Sequence, residues 1–208
     1  MTNRSVTIID YGMGNIWSVK SAFEYLKCDV TVSSEPRIIN EAGILILPGV
    51  GSFSKAMNTL RKLNLDNAIL ESVFERKTKF LGICLGMQLL ANGSTEDGET
   101  EGLKIIDADV DRFLFREVGD RKLPHVGFNQ VKIASNSNLF RGISSNSDFY
   151  FVHSFRILPT ILQGVSTTCD YGIEFLAAFE NENIFATQFH PEKSQSNGLK
   201  LLDNFLKA

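Results

Sequence analysis

The sequence has no long hydrophobic run and no concentrated basic segment. None of its apolar stretches approaches the roughly 20 residues of a membrane-spanning helix. The opening letters MTNRS lead directly into a strand pattern, so we expect no signal peptide. With a net charge of −3 and no Lys/Arg cluster, nucleic acid is not an expected partner. Internal repeats and low-complexity linkers are also absent from the sequence.

Cysteine is scarce, and the three that occur do not form a pattern. Cys28, Cys84 and Cys169 are odd in number and lack metal-ligand spacing. This usage favours reduced thiols in a cytoplasm over a disulfide framework. We therefore expect a cytoplasmic protein without metal or cofactor. The 208 residues, 43% hydrophobic and 22% charged, are ordinary for a globular protein.

Strands alternate with helices in the first half of the chain, which predicts an α/β fold with a mostly parallel, doubly wound sheet. The predicted strands are 6–10, 29–33, 43–47 and 80–83, and the predicted helices 16–26, 54–63 and 66–76. Gly12 and Gly14 follow the first strand, but no third glycine completes a dinucleotide fingerprint.

The second half of the sequence predicts antiparallel additions to this sheet. Residues 92–101 form a polar, acidic surface loop. Shorter strands are predicted within 103–115 and at 131–135, 149–155 and 164–169, followed by a hairpin of 175–180 and 184–190. We interpret residues 1–208 as one domain.

The segment 79–92, KFLGICLGMQLLAN, organises the rest. An apolar strand runs into Cys84, and good helix formers follow Gly86. The pattern G-x-C-x-G is the cysteine form of a nucleophile elbow, whose sharp turn leaves no room for a Cβ at Gly82 or Gly86. A helix N-terminus behind the sulfur favours the thiolate. The alternative is a small buried cysteine in an ordinary turn.

A glycine-flanked loop, Pro48-Gly49-Val50-Gly51-Ser52-Phe53, follows the third strand. It is either a plain turn with Ser52 or Ser54 as N-cap, or a source of backbone N–H groups for an oxyanion. Its position at the carboxyl edge of a parallel sheet, where ligands bind, favours the second interpretation.

The segment QFHPEK supplies a histidine and a carboxylate. In an extended chain, residues two apart face the same side, so Glu192 can reach the ring of His190. With Cys84 they make a nucleophile, base and orienting acid. His125, predicted in a loop, and His153, in an aromatic strand, are the competing bases, and neither has an adjacent carboxylate in sequence.

Three motifs, LGICLGMQLL, PGVGSF and QFHPEKS, resemble those of the class I glutamine amidotransferases, a family with a flavodoxin-like sheet. The segments DYGMGNIWSV, PHVGFNQV and FYFVHSF are similar to the glutaminase subunits of imidazole glycerol phosphate synthases. The chain departs from that pattern at Phe128, where tryptophan is usual, and at Phe155, where tyrosine is usual.

The resemblance implies a function and a set of roles. L-Glutamine would be hydrolysed to glutamate and ammonia through a thioester on Cys84. Oxyanion donors would be the amides of Val50 and Leu85. The implied glutamine-binding residues are Gly49, Gly51, Gln88, His153 and Ser154. The implied partner is a separate (β/α)8-barrel cyclase, which would form a heterodimer with this chain and use the ammonia to make imidazole glycerol phosphate and AICAR. Contacts with it would involve Asn15, Phe128 and Lys193.

Two other functions are compatible with parts of the sequence. Paralogous glutaminase subunits feed ammonia to enzymes that amidate surface sugars, and the changes at Phe128 and Phe155 bear on this choice. A cysteine hydrolase or chaperone-like protein of similar fold could share the elbow, although the HPE segment and the PGVG loop argue against it.

Overall fold

The computed structural model describes residues 4–159 and 161–208, and a seven-stranded sheet forms its centre. The expected absence of a signal peptide rests partly on residues 1–3, which lie outside the described residues. The strands are β1 (Arg4–Ile9), β2 (Cys28–Ser33), β3 (Ile44–Gly49), β4 (Lys79–Cys84), β5 (Gly93–Ser94), β6 (Thr100–Glu101), β7 (Asp109–Arg112), β8 (His125–Gln130), β9 (Asp148–His153), β10 (Phe155–Ile157), β11 (Val165–Asp170), β12 (Glu174–Asn181) and β13 (Ile184–Thr187). The α-helices are α1 (Ile16–Tyr25), α2 (Pro36–Glu41), α3 (Phe53–Lys62), α4 (Leu65–Leu70), α5 (Leu85–Gln88), α6 (Phe115–Val118) and α7 (Gln195–Lys207).

The central sheet is mostly parallel, as predicted. Its order is β11-β12-β13-β4-β3-β1-β2, in which the five strands from β13 to β2 pair in parallel. Strands β12 and β11 extend it in antiparallel fashion, and the predicted hairpin is the β12–β13 pair. A four-stranded sheet, β10-β7-β5-β6, and the antiparallel pair β8–β9 complete the fold.

Burial on both faces explains why the central strands are continuous apolar runs. Leu45 and Leu47 of β3 point into one hydrophobic cluster, and Ile46 between them points into the other. All three are fully buried. A parallel sheet covered by helices on both sides requires this pattern. It places the carboxyl ends of β1, β3 and β4 side by side at one edge.

Some predicted elements were wrong. The strand expected at 131–135 is only an isolated bridge, Lys132 to Thr168, and the strand lies earlier, at β8. His125 therefore begins a strand and is not in a loop. The sequence of β8 is largely polar, so it does not show the alternation of a strand. Its inward-facing positions are buried only because β9 pairs with it. The helix predicted at 66–76 continues beyond α4 as a π-helical turn, Glu71–Glu75.

The chain after the elbow also differs from expectation. Helix α5 has only four residues, because the amides of Leu90 and Ala91 bond carbonyls three residues back and tighten the turn. Between 103 and 115 the only strand among the described residues is β7. Helix α2 was not predicted. None of the described helices is long and apolar enough to cross a membrane.

Candidate active site

Cys84 occupies a strained turn between β4 and α5. Its φ is 55° and its ψ −110°, outside the regions that non-glycine residues ordinarily adopt. Such a conformation costs on the order of 1–3 kcal/mol and persists only where the surroundings impose it. Strain of this kind at an elbow presents the side chain at the edge of the sheet.

The two glycines around Cys84 are required by backbone contacts. A Cβ on Gly82 would lie 2.8 Å from the carbonyl oxygen of Gly86, and one on Gly86 only 1.8 Å from the carbonyl oxygen of Leu47. The elbow is thus packed against itself and against strand β3. Because α5 is short, its contribution at Cys84 comes from the unpaired N–H groups of its first turn rather than from a long helix dipole.

His190 and Glu192 meet, although not in the predicted geometry. His190 Nδ1 lies 2.7 Å from Glu192 Oε1, and both side chains are almost completely buried. The prediction of an extended chain was wrong here, since Pro191–Lys193 form a short 3₁₀ helix that turns Glu192 back toward the ring. Ser194 Oγ donates to the His190 carbonyl and Tyr150 O accepts from the His190 amide, which fixes the backbone.

The other ring nitrogen of His190 is free for chemistry. Nε2 is buried and has no hydrogen-bond partner among the described residues. Burial alone lowers the pKa of His190, but the nearby charge of Cys84, and then the hydrogen bond and charge of Glu192, outweigh it and raise the pKa to about 10. The raised pKa favours the protonated form of the imidazole at neutral pH.

Two glutamines connect Cys84 to the neighbouring strands. Gln88 Nε2 donates to the carbonyl of Phe155 and to Gln188 Oε1, both at 2.9 Å. Gln188 Nε2 in turn lies 3.7 Å from Cys84 Sγ. Gln88 was predicted as a glutamine-binding residue, whereas Gln188 was missed, because nothing in the sequence shows that β13 ends beside the elbow.

A cavity of about 370 Å³ opens over Cys84. Most residues that the resemblance assigns to substrate or oxyanion line it; the lining is Val50, Gly51, Cys84, Leu85, Gln88, Glu96, Pro124, Val152, His153, Ser154 and Phe155. Gly49 does not belong to this lining and lies beneath it, against Tyr11 and Leu85. Three grooves are larger: those of about 580 and 610 Å³ contain none of Cys84, His190 and Glu192, and one of about 450 Å³ beside α1 is lined by Glu192 but not by Cys84.

Glu96 was missed by the sequence analysis, which assigned residues 92–101 to an acidic surface loop. Its carboxylate accepts from the amide of Phe53 at 2.8 Å, and burial raises its pKa. A carboxylate on the wall of this cavity is suited to an ammonium group of the ligand. Only the long-range contact with the start of α3 distinguishes it from its exposed acidic neighbours.

The amide of Val50 points away from the cavity. It donates to the carbonyl of Met13 at 3.4 Å, so it is not available to an oxyanion in this conformation. Gly51 has a φ of +103°, which favours glycine. Ser52 caps α3 by accepting from the amide of Lys55. The predicted N-cap is therefore present at Ser52, while the predicted oxyanion donor is a different residue of the loop, Val50.

His153 lines the cavity but its ring nitrogens are engaged elsewhere. Nδ1 contacts the Phe155 carbonyl at 2.8 Å and Nε2 contacts His125 at 2.9 Å. The remaining nitrogen of His125 contacts Asn129. Neither histidine therefore has a free ring nitrogen for Cys84.

The predicted partner-contact residues Phe128 and Lys193 meet at Tyr150. The Phe128 ring lies 5.4 Å from that of Tyr150, and Lys193 Nζ lies 5.9 Å from the same ring. Phe128 is 46% exposed, so about half of its side chain is accessible to a partner. Asn15 precedes α1, and this helix contacts the 3₁₀ turn that carries Lys193.

No group of three or more His, Cys, Asp or Glu side chains with metal-binding geometry occurs within 4–159 and 161–208.

The chain matches the family "Glutamine amidotransferase class-I" over residues 7–208. It is 46% identical to the imidazole glycerol phosphate synthase subunit HisH of Moorella thermoacetica, over 97% of this chain and 94% of that protein. It is 44% identical to subunit HisH 1 of Campylobacter jejuni (strain RM1221), over 97% and 99%.

The fold likewise has solved neighbours. A glutamine amidotransferase structure from Thermotoga maritima superposes with a TM-score of 0.68 at 17% identity, covering all of both chains. At this identity the match concerns the fold alone.

Proposed function

Because the chain belongs to the class I glutamine amidotransferase family, we propose that it is the glutaminase subunit of an imidazole glycerol phosphate synthase, acting in histidine biosynthesis. Full-length relatives at 42–46% identity carry that synthase's name. Family membership and the separate PGVG loop leave no basis for an unrelated cysteine hydrolase or chaperone-like protein. The observation that carries the mechanism is the His190–Glu192 contact of 2.7 Å beside Cys84.

The reaction begins at the sulfur of Cys84. The thiolate attacks the side-chain amide carbon of L-glutamine, which converts the carbonyl oxygen into an oxyanion. The amide of Leu85, at the first turn of α5, donates to that oxygen, and Val50 adds a second N–H after its peptide turns away from Met13. Protonated His190 then gives its proton to the departing nitrogen, and ammonia leaves.

The thioester is hydrolysed in a second step. His190, now neutral, takes a proton from water, and the resulting hydroxide attacks the thioester carbon and releases glutamate. Glu192 keeps the ring oriented through Nδ1 in both steps. In the binding pose, Glu96 is placed to accept the α-ammonium group of glutamine, while Gln88 and Gly51 contact the rest of the substrate.

Ammonia chemistry requires a partner. Ammonia released into water at neutral pH is protonated and no longer a nucleophile, so an acceptor enzyme must receive it directly. We propose that residues 1–208 form one glutaminase domain that pairs as a heterodimer with a separate (β/α)8-barrel cyclase in the cytoplasm. The exposed Phe128 and Lys193, joined at Tyr150, are the proposed contact surface. Neither a metal nor a cofactor takes part.

The pathway is tested by complementation. The gene, together with that of its cognate barrel, is supplied to a histidine auxotroph that lacks its own glutaminase subunit. Growth without histidine, lost on Cys84→Ala, is the expected result. No growth, with the same pair amidating an activated sugar in vitro, would transfer the protein to surface-polysaccharide synthesis and leave only the glutaminase activity.

A further inference from the structure

Tyr11 has a buried hydroxyl that the mechanism has not used. The residue follows β1 at the carboxyl edge of the sheet and is 3% exposed. Its Oη has no hydrogen-bond partner among the described residues. A buried hydroxyl left without a hydrogen bond destabilises the fold, so its presence calls for a physical reason.

The hydroxyl lies directly against Gly49. A Cβ built on Gly49 would be 2.5 Å from Tyr11 Oη, 2.9 Å from the Cβ of Leu85 and 3.0 Å from the amide nitrogen of Gly86. Tyr11 Oη is therefore packed against the Cα of Gly49, where the peptide that joins Gly49 to Val50 begins. It is not part of the cavity lining, so its hydroxyl does not contact a ligand there.

The same turn holds the Val50 amide in its present direction. Met13, two residues after Tyr11, accepts the Val50 N–H at 3.4 Å. When the peptide between residues 49 and 50 rotates to aim this N–H at the cavity, its carbonyl exchanges direction with it. The Gly49 oxygen then faces the turn, where the Met13 carbonyl repels it and a donor is needed.

We propose that the Tyr11 hydroxyl donates to the Gly49 carbonyl in the rotated loop and thereby stabilises the conformation with a complete oxyanion site. Tyr11 is thus a positioning residue, unpaired in the resting loop and paired in the active one. This inference rests on the proposed glutaminase function. Burial, followed by the charge of Cys84, raises the pKa of Tyr11, so the hydroxyl keeps its proton and remains a donor.

The test compares Tyr11→Phe with Tyr25→Phe, which removes the hydroxyl of a tyrosine that is 69% exposed on α1. Glutamate release is measured in the complex with the cyclase subunit and its acceptor substrate. Tyr11→Phe should lower kcat about 3- to 10-fold, the effect of one net hydrogen bond, with KM for glutamine within about twofold of wild type. Tyr25→Phe should change neither.

Two further measurements separate positioning from structure. The melting temperature of Tyr11→Phe should equal or exceed that of wild type, because the resting loop loses no hydrogen bond. The Gly49 carbonyl 13C shift in the active complex should move in Tyr11→Phe and not in Tyr25→Phe.

Three results would overturn the proposal: unchanged kcat, a melting temperature lowered by several degrees, or a rise in KM alone. A wild-type complex that releases no glutamate would instead refute the proposed function itself.

Discussion

His125 Nδ1 lies 2.9 Å from His153 Nε2, and both rings are buried. Their tautomers follow from the other contacts. His153 Nδ1 faces the Phe155 carbonyl and must carry its proton, so Nε2 accepts from His125 Nδ1. His125 Nε2 then accepts from the Asn129 amide. The pair forms a directed chain in which both imidazoles are neutral, and it ends at the carbonyl that also receives Gln88.

This pair makes the stability of the fold depend on pH. Burial lowers the pKa of His125 to about 4; burial and then the charge of His125 lower that of His153 to about 3. In the unfolded chain both pKa values are near 6.5. Between these limits the unfolded state binds more protons, so the free energy of unfolding falls as pH falls from about 6.5 toward 4.

The measurement is urea unfolding at a series of pH values, with His125→Gln as the comparison. Glutamine keeps hydrogen-bonding groups but does not titrate, so the slope of unfolding free energy against pH should decrease by up to about 1.4 kcal/mol per pH unit. Identical slopes for the two proteins would mean that His125 titrates normally in the folded state.

Cys84 should be the one cysteine that reacts with a glutamine-derived diazoketone. Cys84 lines the cavity, whereas burial raises the pKa of Cys169 to about 12 and also raises that of Cys28. Mass spectrometry should find one label on wild type and none on Cys84→Ala. Labelling of Cys28 or Cys169, with Cys84→Ala still releasing glutamate, would reject this assignment.

His190 and Glu192 should contribute unequally. Removing His190 eliminates proton transfer, whereas Glu192→Gln removes only the orienting charge. In the assembled complex, kcat of His190→Ala should fall roughly 10- to 100-fold further than that of Glu192→Gln. Circular dichroism and partner binding serve as controls for folding. An equal or reversed order would show that the roles are misassigned.

The isolated subunit should be a poor glutaminase. Its Val50 amide is bonded to Met13, and only differential binding by a partner or its substrate can shift the loop population. Glutamate release should rise at least roughly tenfold when the cyclase and its acceptor substrate are added, and Cys84→Ala should be inactive in both assays. Equal turnover with and without the partner would discard the loop switch.

Reversing the charge of Lys193 should weaken the coupling between subunits. We expect Lys193 to pair with an acid on the barrel and the exposed part of Phe128 to pack against the barrel. Lys193→Glu should raise the dissociation constant of the complex and lower its activation, with Cys84 labelling retained. Lys62→Glu, at an exposed lysine at the end of α3, is the matched control. Matching affinities for the two variants would place the interface elsewhere.

Local patterns made the parallel sheet and much of the site predictable. The apolar runs of β1, β3 and β4 and the glycines around Cys84 are short-range signals, because burial and steric crowding act within a few residues. The HPE segment correctly predicted that Glu192 contacts His190. The contact is made through a 3₁₀ turn, however, which the sequence pattern does not predict.

The missed features depend on contacts between distant segments. Glu96 meets the start of α3, Gln188 meets the elbow, and the Met13 carbonyl meets Val50. The two residues of each pair are 37 or more positions apart in the sequence. Neither periodicity nor composition can predict such contacts. Strand β8 was displaced for the same reason, since its inward side is set by β9.

The hydrogen bond from Val50 to Met13 has a consequence for how much glutamine the cell consumes. We expect a subunit whose resting loop withholds one oxyanion donor to consume less glutamine when its partner is scarce. Unequal synthesis of the two chains should then waste little glutamine, because a copy without its partner stays in the less active conformation.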